Sequence, residues 1–327
     1  MDTFVHFVNV AAERLGARAT ETTDDFFAEK ENLVKPGRGI FIPEKYTERG
    51  KWMDGWESRR KRTPGHDWCI VQLGARARIF GVDIDTNHFL GNHPPHASID
   101  ALDSLNTSSE WNCILEKSPL EPGSQNLYAI SGEPIADQLR LNIFPDGGVA
   151  RLKVYGMFVP ALDSLKNLQE FDAAAALNGG VVLKCSDMFF SHKDNLIMPE
   201  RGFNMGDGWE TKRRRGPGHD WTIIRLGATS TLEKVIIDTA HFKGNFPDSC
   251  SLEATNCDGK GAPENWAWEP VFENFKLQAD AIHEMASLKN QGPYTHVRFN
   301  IFPDGGVSRL RLIGKAVSEP AEVFFGA

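Results

Sequence analysis

The chain has 327 residues and a formal charge of −8, with 44 acidic against 36 basic side chains. An acidic balance argues against nucleic acid as a partner, and no apolar run approaches the roughly 20 residues that cross a bilayer. The five cysteines (Cys69, Cys113, Cys185, Cys250 and Cys257) are odd in number and none stands in a C-x-x-C, which argues against a disulfide framework or structural zinc and for a reducing compartment. The start, Met1-Asp2-Thr3-Phe4, lacks the basic and apolar regions of a secretory signal. A cytoplasmic location is expected.

Read from the N-terminus, the sequence runs through a set of blocks and then runs through them again. The first copy begins near Gly16, with Asp24-Asp25-Phe26-Phe27 and Glu31-Asn32-Leu33; the second begins near Gly179, with Asp187-Met-Phe189-Phe190 and Asp194-Asn195-Leu196. Residues 40–49 are an insertion of about ten residues in the first copy, expected to form a surface loop. Then come Asp54-Gly-Trp-Glu57, the basic run 59–62 and Gly65-His66-Asp67-Trp68, which recur as Asp207-Gly-Trp-Glu210, 212–215 and Gly218-His219-Asp220-Trp221. His219 follows His66 by 153 residues, and Asp238-x-x-His241 follows Asp85-x-x-His88 by the same offset. Arg140-Leu-Asn142-Ile-Phe144-Pro-Asp146-Gly-Gly returns as Arg298-Phe-Asn300-Ile-Phe302-Pro-Asp304-Gly-Gly. A period of this length is a whole-domain duplication, far above that of a solenoid.

The organisation expected is a first repeat over 1–160, a linker over 161–176 with leucines spaced for a short helix, and a second repeat over 177–327. Within each copy the pattern is β. Residues 221–226 read as a strand closed by a turn at Gly227, and 232–238 as the next strand. Residues 139–144, Pro-Asp-Gly-Gly and 149–155 read as a hairpin. In 139–144 the aliphatic residues alternate with Arg140, Asn142 and Phe144, so the period of two gathers Arg and Asn on one face. Short strands between Gly and Pro turns, with no strand–helix alternation, predict an all-β fold of two tandem jelly-roll sandwiches.

Several of these blocks carry chemistry. A His beside an Asp, as in His66-Asp67 and His219-Asp220, suits general acid/base work; the alternative is a loop ordered by its own hydrogen bonds. Glu57 and Glu210 suit acid work or acceptance of ureido N–H groups; the alternative is pairing with nearby arginines. One arginine of each basic run, Arg60 or Arg213, suits a bidentate grip on a carboxylate; the alternative is a solvated loop. Asp54, Asp207, Arg140, Arg298, Asn142, Asn300, His88 and His241 are candidate binding residues, as are Arg151 and Arg309; all of the 140–151 and 298–309 set could equally form a buried ion-pair and turn framework, the better reading for Asp146 and Asp304. Asp85 and His88 with His93 and His96 could hold a divalent metal, but an Asp–His pair is at most half a site. No cofactor is expected.

Together, these five blocks, in order and twice over, resemble the allantoicase family, from about residue 16 to about 315. The resemblance implies jelly-roll domains like galactose-binding modules and hydrolysis of allantoate to (S)-ureidoglycolate and urea in purine and allantoin degradation. It implies a C–N hydrolase acting on linear amidines; a homo-oligomer is expected. Two rival readings are a non-catalytic jelly roll that binds a carbohydrate or small ligand, since fold does not set function, and a metal-dependent hydrolase of another ureide.

Overall fold

The computed structural model describes residues 3–106 and 110–323. The chain divides into two compact units, Met1–Phe158 and Val159–Ala327. A five-residue helix, Leu162–Lys166, opens the second unit, and the following Phe171–Asp172 already pairs with the sheet at Gly314 and Ile313.

In the first unit the principal strands are β1 (Arg18–Thr22), β2 (Asp67–Asp85), β3 (His96–Leu102), β4 (Asn112–Pro119), β5 (Gln125–Ala129), β6 (Ile135–Phe144) and β7 (Arg151–Phe158). The second unit repeats them as β8 (Val181–Cys185), β9 (Asp220–Asp238), β10 (Ser249–Thr255), β11 (Glu269–Lys276), β12 (Ile282–Met285), β13 (Tyr294–Phe302) and β14 (Arg309–Ser318). All pairings are antiparallel. Each unit is a β-sandwich, as the alternation predicts.

The organising element is the 19-residue strand, β2 in one unit and β9 in the other. The first half of β2 pairs with β1 and β6, and β6 continues the layer to β3 and β4. Its second half pairs with β5 and β7. One strand therefore serves both layers. Cys69, Val71, Leu139, Leu141 and Ile143 from one layer and Val82, Ile84, Leu152 and Val154 from the other are fully buried. Each such aliphatic side chain contributes about 1.5–3 kcal/mol on burial.

Two expectations change here. The turn expected at Gly227 is a corner within one continuous strand, not a break between two. At this corner, and at Gly74 in the first unit, another backbone presses close. A Cβ on Gly74 would lie 1.6 Å from the Leu15 carbonyl oxygen, and one on Gly227 1.8 Å from that of Asn178. The hairpin expected across Pro-Asp-Gly-Gly is also not a hairpin. β6 and β7 flank opposite halves of β2 and do not pair with each other. The turn crosses between layers, and Gly148–Val149 pairs instead with Trp56–Glu57.

Because backbone cannot yield as a flexible side chain does, Gly74→Ala and Gly227→Ala are each expected to cost about 3 kcal/mol of stability. Thermal unfolding of the single variants checks this, and a Tm within a degree of wild type would contradict it.

Candidate functional site

The outer face of the β1–β2–β6–β3–β4 layer carries a polar cluster that the strand register builds. Asn142 lies opposite Trp68 on one side and Ser98 on the other, and Arg140 opposite Ile70 and Asp100. Asn142 donates through Nδ2 to Ser98 Oγ at 3.1 Å and to Asp100 Oδ2 at 2.8 Å. Arg140 donates to the same Asp100 Oδ2 at 2.8 and 3.1 Å and lies over the Trp111 ring. His66 places Nε2 3.4 Å from Asn142 Oδ1 and packs its ring on Phe144.

The second unit repeats this arrangement with Glu253 in the place of Asp100. Asn300 Nδ2 donates to Ser251 Oγ at 3.1 Å and Glu253 Oε2 at 2.9 Å, and Arg298 donates to Glu253 Oε2 at 2.7 and 2.8 Å. His219 Nε2 stands 3.2 Å from Asn300 Oδ1, its ring against Phe302, and Arg298 lies over Trp268. A cleft of about 400 Å³ opens here, lined by His219, Trp221, Ser251, Glu253, Pro270, Glu273, Arg298, Asn300 and Phe302. Besides the exchange of Asp100 for Glu253, the two copies differ at a lysine. Lys117 sits 4.6 Å above the Phe144 ring beside His66, whereas among the described residues no lysine lies over Phe302.

The structure thus gathers His66, Asn142 and Arg140, and likewise His219, Asn300 and Arg298. It separates His66 from Asp67 and His219 from Asp220, because neighbours at a strand start point to opposite faces. Asp67 is buried, accepting from Lys61 Nζ at 2.7 Å and Thr23 Oγ1 at 2.9 Å. Asp220 accepts from Arg214 at 2.5 Å and Ser186 Oγ at 2.9 Å. These aspartates hold the basic loop down. Asp146 and Asp304 hold it too, accepting the backbone N–H of Lys61 and Arg214 at 2.8 and 2.7 Å.

Alternate members of each basic run are anchored in this way. Arg59 pairs with Asp24 and Lys212 with Asp187, while among the described residues Arg60 and Arg213 have no ion pair. Arg60 lines a second, basic cleft with Thr23, Asp24, Phe27 and Asp67. Glu57 and Glu210 meet Asn92 and Asn245, which donate to their carboxylates. Burial lifts the Glu57 carboxyl above its ordinary range, and the Asn92 bond offsets only part of that.

The remaining candidates form a frame around the strand end. Arg151 and Arg309, buried, bridge to Asp54 and Asp207, each at 2.9 Å. Burial pushes the Asp54 carboxyl up, and the Arg151 guanidinium and the Ile40 N–H more than reverse it, holding it below the usual range. Asp85 and Asp238 accept from Arg38 and Arg201, both at 2.8 Å. His241 Nε2 is 2.7 Å from the Gly202 carbonyl, and His88 stacks on Phe41. Both histidines hold left-handed backbone, φ 67° and 70°. Among the described residues, no three His, Cys, Asp or Glu side chains gather as metal ligands would.

Four members of the cluster were not among the sequence candidates: Ser98 and Asp100, with Ser251 and Glu253. A signal for them exists. Ser98-Ile-Asp100 and Ser251-Leu-Glu253 keep the offset of 153 residues, with polar residues alternating around an aliphatic one.

Each copy of this duplicated β-sandwich holds a histidine, an amide, an arginine and a carboxylate on one outer face, the groups a site for a small polar ligand would use. Comparison with known proteins gives the family. The family model for the allantoicase repeat matches residues 8–159 and again 171–317. A probable allantoicase of Photobacterium profundum is 49% identical over 320 residues, 95% of this chain and 97% of that protein. One from Burkholderia mallei is 48% identical, covering 94% of each. The crystal structure of allantoicase from Saccharomyces cerevisiae superposes with a TM-score of 0.77 at 37% identity, over 94% of this chain and 92% of that one. The chain belongs to the allantoicase family and is a hydrolase.

Breaking the buried Arg151–Asp54 pair strands a charge, so Arg151→Ala is expected to cost about 3–5 kcal/mol at neutral pH. A depressed folded-state carboxyl contributes stability above the unfolded value that is lost as pH falls through the folded one. The Tm gap between Arg151→Ala and wild type therefore narrows on acidification below the usual carboxylate range; a gap independent of pH would contradict the ion-pair account.

For Glu57 the sign is opposite. A raised folded-state carboxyl costs stability once pH exceeds the unfolded value. Glu57→Gln keeps an acceptor for Asn92 and is expected to raise the Tm at pH 7 but not at pH 4. A lower Tm at pH 7 would refute it.

Proposed function

We infer that the protein hydrolyses allantoate to ureidoglycolate and urea, a step of purine breakdown, and that the His219 cleft is where it does so. Family membership supports the reaction. The observation that carries the site is the repeated His–Asn–carboxylate–Arg cluster, which in the second unit lines a cleft. The first-unit cluster differs in having the Lys117 ammonium over the ring that His66 packs on.

Allantoate carries one carboxylate and two ureido groups on a single carbon. Urea leaves poorly until its nitrogen is protonated. The imidazolium of His219 donates that proton, and the remaining ureido nitrogen supplies the electron pair that expels urea. The resulting acyl-iminium-like carbon takes up water, whose proton returns to His219. One water is consumed, one C–N bond breaks and one C–O bond forms. Arg298, already fixed by Glu253 and Trp268, presents its remaining N–H groups to the substrate carboxylate. Ser251 Oγ and the Glu273 carboxylate, both lining the cleft, accept ureido N–H bonds. Asp67, Asp220, Asp54, Asp207, His88 and His241 act as framework in this reading, and Arg60 and Arg213 serve to draw the anion in.

The chain has no helix long and apolar enough to cross a membrane among its described residues. A cytoplasmic location, a homo-oligomeric state and the absence of nucleic-acid or membrane partners complete the proposal. The unpaired cysteines support the location and the acidic charge the absence of nucleic acid.

Purified protein incubated with allantoate is expected to release urea and ureidoglycolate in equal amounts without ammonia. Ammonia without urea would place attack at a terminal ureido group and overturn the reading. General acid/base catalysis contributes about 10²–10⁴-fold, so His219→Ala should lose at least about 10²-fold in kcat, while His66→Ala keeps at least about half the activity. The reverse pattern would move the site to the first unit.

A further inference from the structure

We propose that Glu253, and Asp100 in the first unit, are positioning residues. Through Asn300 and Asn142 they fix which ring nitrogen of His219 and His66 carries the permanent proton, leaving Nδ1 as the nitrogen that exchanges a proton with the substrate. This rests on the proposed reaction for its purpose, but not for its geometry.

A side-chain amide has two donors on nitrogen and an acceptor oxygen. Asn300 has three polar neighbours in the plane of the sheet: Glu253 Oε2 at 2.9 Å, Ser251 Oγ at 3.1 Å and His219 Nε2 at 3.2 Å. An ionised carboxylate only accepts. The amide must therefore turn its NH₂ to Glu253, since the flipped rotamer would aim its oxygen at a carboxylate oxygen. The Arg298 guanidinium donates to the same oxygen from the other side at 2.7 and 2.8 Å, so that oxygen is an acceptor for both neighbours. With NH₂ fixed on Glu253 and Ser251, Oδ1 faces His219. An oxygen acceptor requires a donor, so Nε2 of His219 bears hydrogen in every protonation state. The neutral ring then has its lone pair on Nδ1.

The first unit builds the same chain of constraint with a shorter acid. Asp100 Oδ2 takes Asn142 Nδ2 at 2.8 Å and Arg140 at 2.8 Å, and Asn142 Oδ1 faces His66 Nε2 at 3.4 Å. Aspartate in one copy and glutamate in the other bring a carboxylate oxygen to the same place. The retained feature is the acceptor, not the side-chain length.

For the reaction proposed above, Nδ1–H of the imidazolium gives its proton to the departing ureido nitrogen, the Nδ1–H bond breaking as the new N–H bond forms. Nδ1 then takes a proton from the adding water. The Nε2–H bond stays intact throughout, so Asn300 Oδ1 steadies the positive ring without competing for the mobile proton.

The test is nitrogen NMR of the intact protein with ¹⁵N-labelled histidine, at alkaline pH where the rings are neutral. His66 and His219 signals are assigned by loss in His66→Ala and His219→Ala. Both should show a pyrrole-type Nε2 and a pyridine-type Nδ1. A pyridine-type Nε2 on His219 in wild type overturns the proposal outright, whatever the variants do. In Glu253→Gln the amide can turn freely, so the His219 signals should move toward a tautomer mixture while those of His66 stay fixed. On allantoate, kcat should fall about tenfold or more with KM changed less than about threefold, a fraction of the general acid/base contribution. Glu253→Asp should restore both the tautomer and at least half of the lost kcat. A Glu253→Gln spectrum identical to wild type would also overturn the proposal. If the tautomers are as stated yet His219→Ala turns over at the wild-type rate, the positioning holds and the assignment of His219 to proton transfer falls.

Discussion

Each unit hangs on a single strand too long for one layer. Because β2 and β9 turn a corner instead of ending, the two faces of each sandwich share one backbone, and four strands in each unit take their register directly from it. The corner requires a position without a side chain, since the carbonyl of Leu15 or Asn178 occupies the space. The ends of the strand are pinned by charge. Asp67 and Asp220 at the start and Asp85 and Asp238 at the finish each meet a basic side chain from a loop. The loops are short of regular structure, and these ion pairs take the place of hydrogen-bonded ladders in fixing them. Most of the charged residues that recur between the copies are engaged in this task.

What remains for chemistry is small. On the outer face of one layer, β6 and β13 set an arginine and an asparagine two residues apart, and β3 and β10 set a serine and a carboxylate opposite them. One carboxylate oxygen serves both the guanidinium and the amide. Sharing it has a geometric consequence, because an oxygen that accepts from the guanidinium must also face the donor end of the amide. The histidine comes from a different element, the loop that the buried aspartates hold down. The site is therefore assembled from a rigid sheet and a tethered loop, and the tether is the Asp that follows the His in sequence.

This explains how far the sequence could be read. The duplication, the sandwich class and the common face of Arg140 and Asn142 follow from offset and alternation, and the structure bears them out. The polar partners on the adjacent strand, Ser98 and Asp100, lie about 40 residues away from Arg140 and Asn142 in sequence, and only strand pairing shows that they meet. Adjacency misled in the other direction. His66-Asp67 looks like an acid/base pair on paper, yet a pleated backbone sends its members to opposite sides. The hairpin failed for a related reason: Pro-Asp-Gly-Gly is a good turn by composition, but the hydrogen bonds of its flanking strands go to β2 and those of the turn go to the basic loop. Local propensity describes the bend correctly and says nothing about which strand is waiting on either side.

The two copies also show which parts of the cluster are constrained by function and which by folding. The frame ion pairs keep residue types where geometry is tight: Asp54 and Asp207 with Arg151 and Arg309, each at 2.9 Å and buried. The tether accepts either cation, Lys61 or Arg214. The cluster accepts either acid, Asp100 or Glu253, but not a change of His, Asn or Arg. Folding needs only a positive charge against Asp67 or Asp220, so Lys and Arg are exchangeable there. The cluster needs a ring with two distinct nitrogens, an amide that can be turned only one way, and a planar cation with donors to spare. Those demands fit the proton transfer proposed for His219, and the first unit keeps the same geometry around His66.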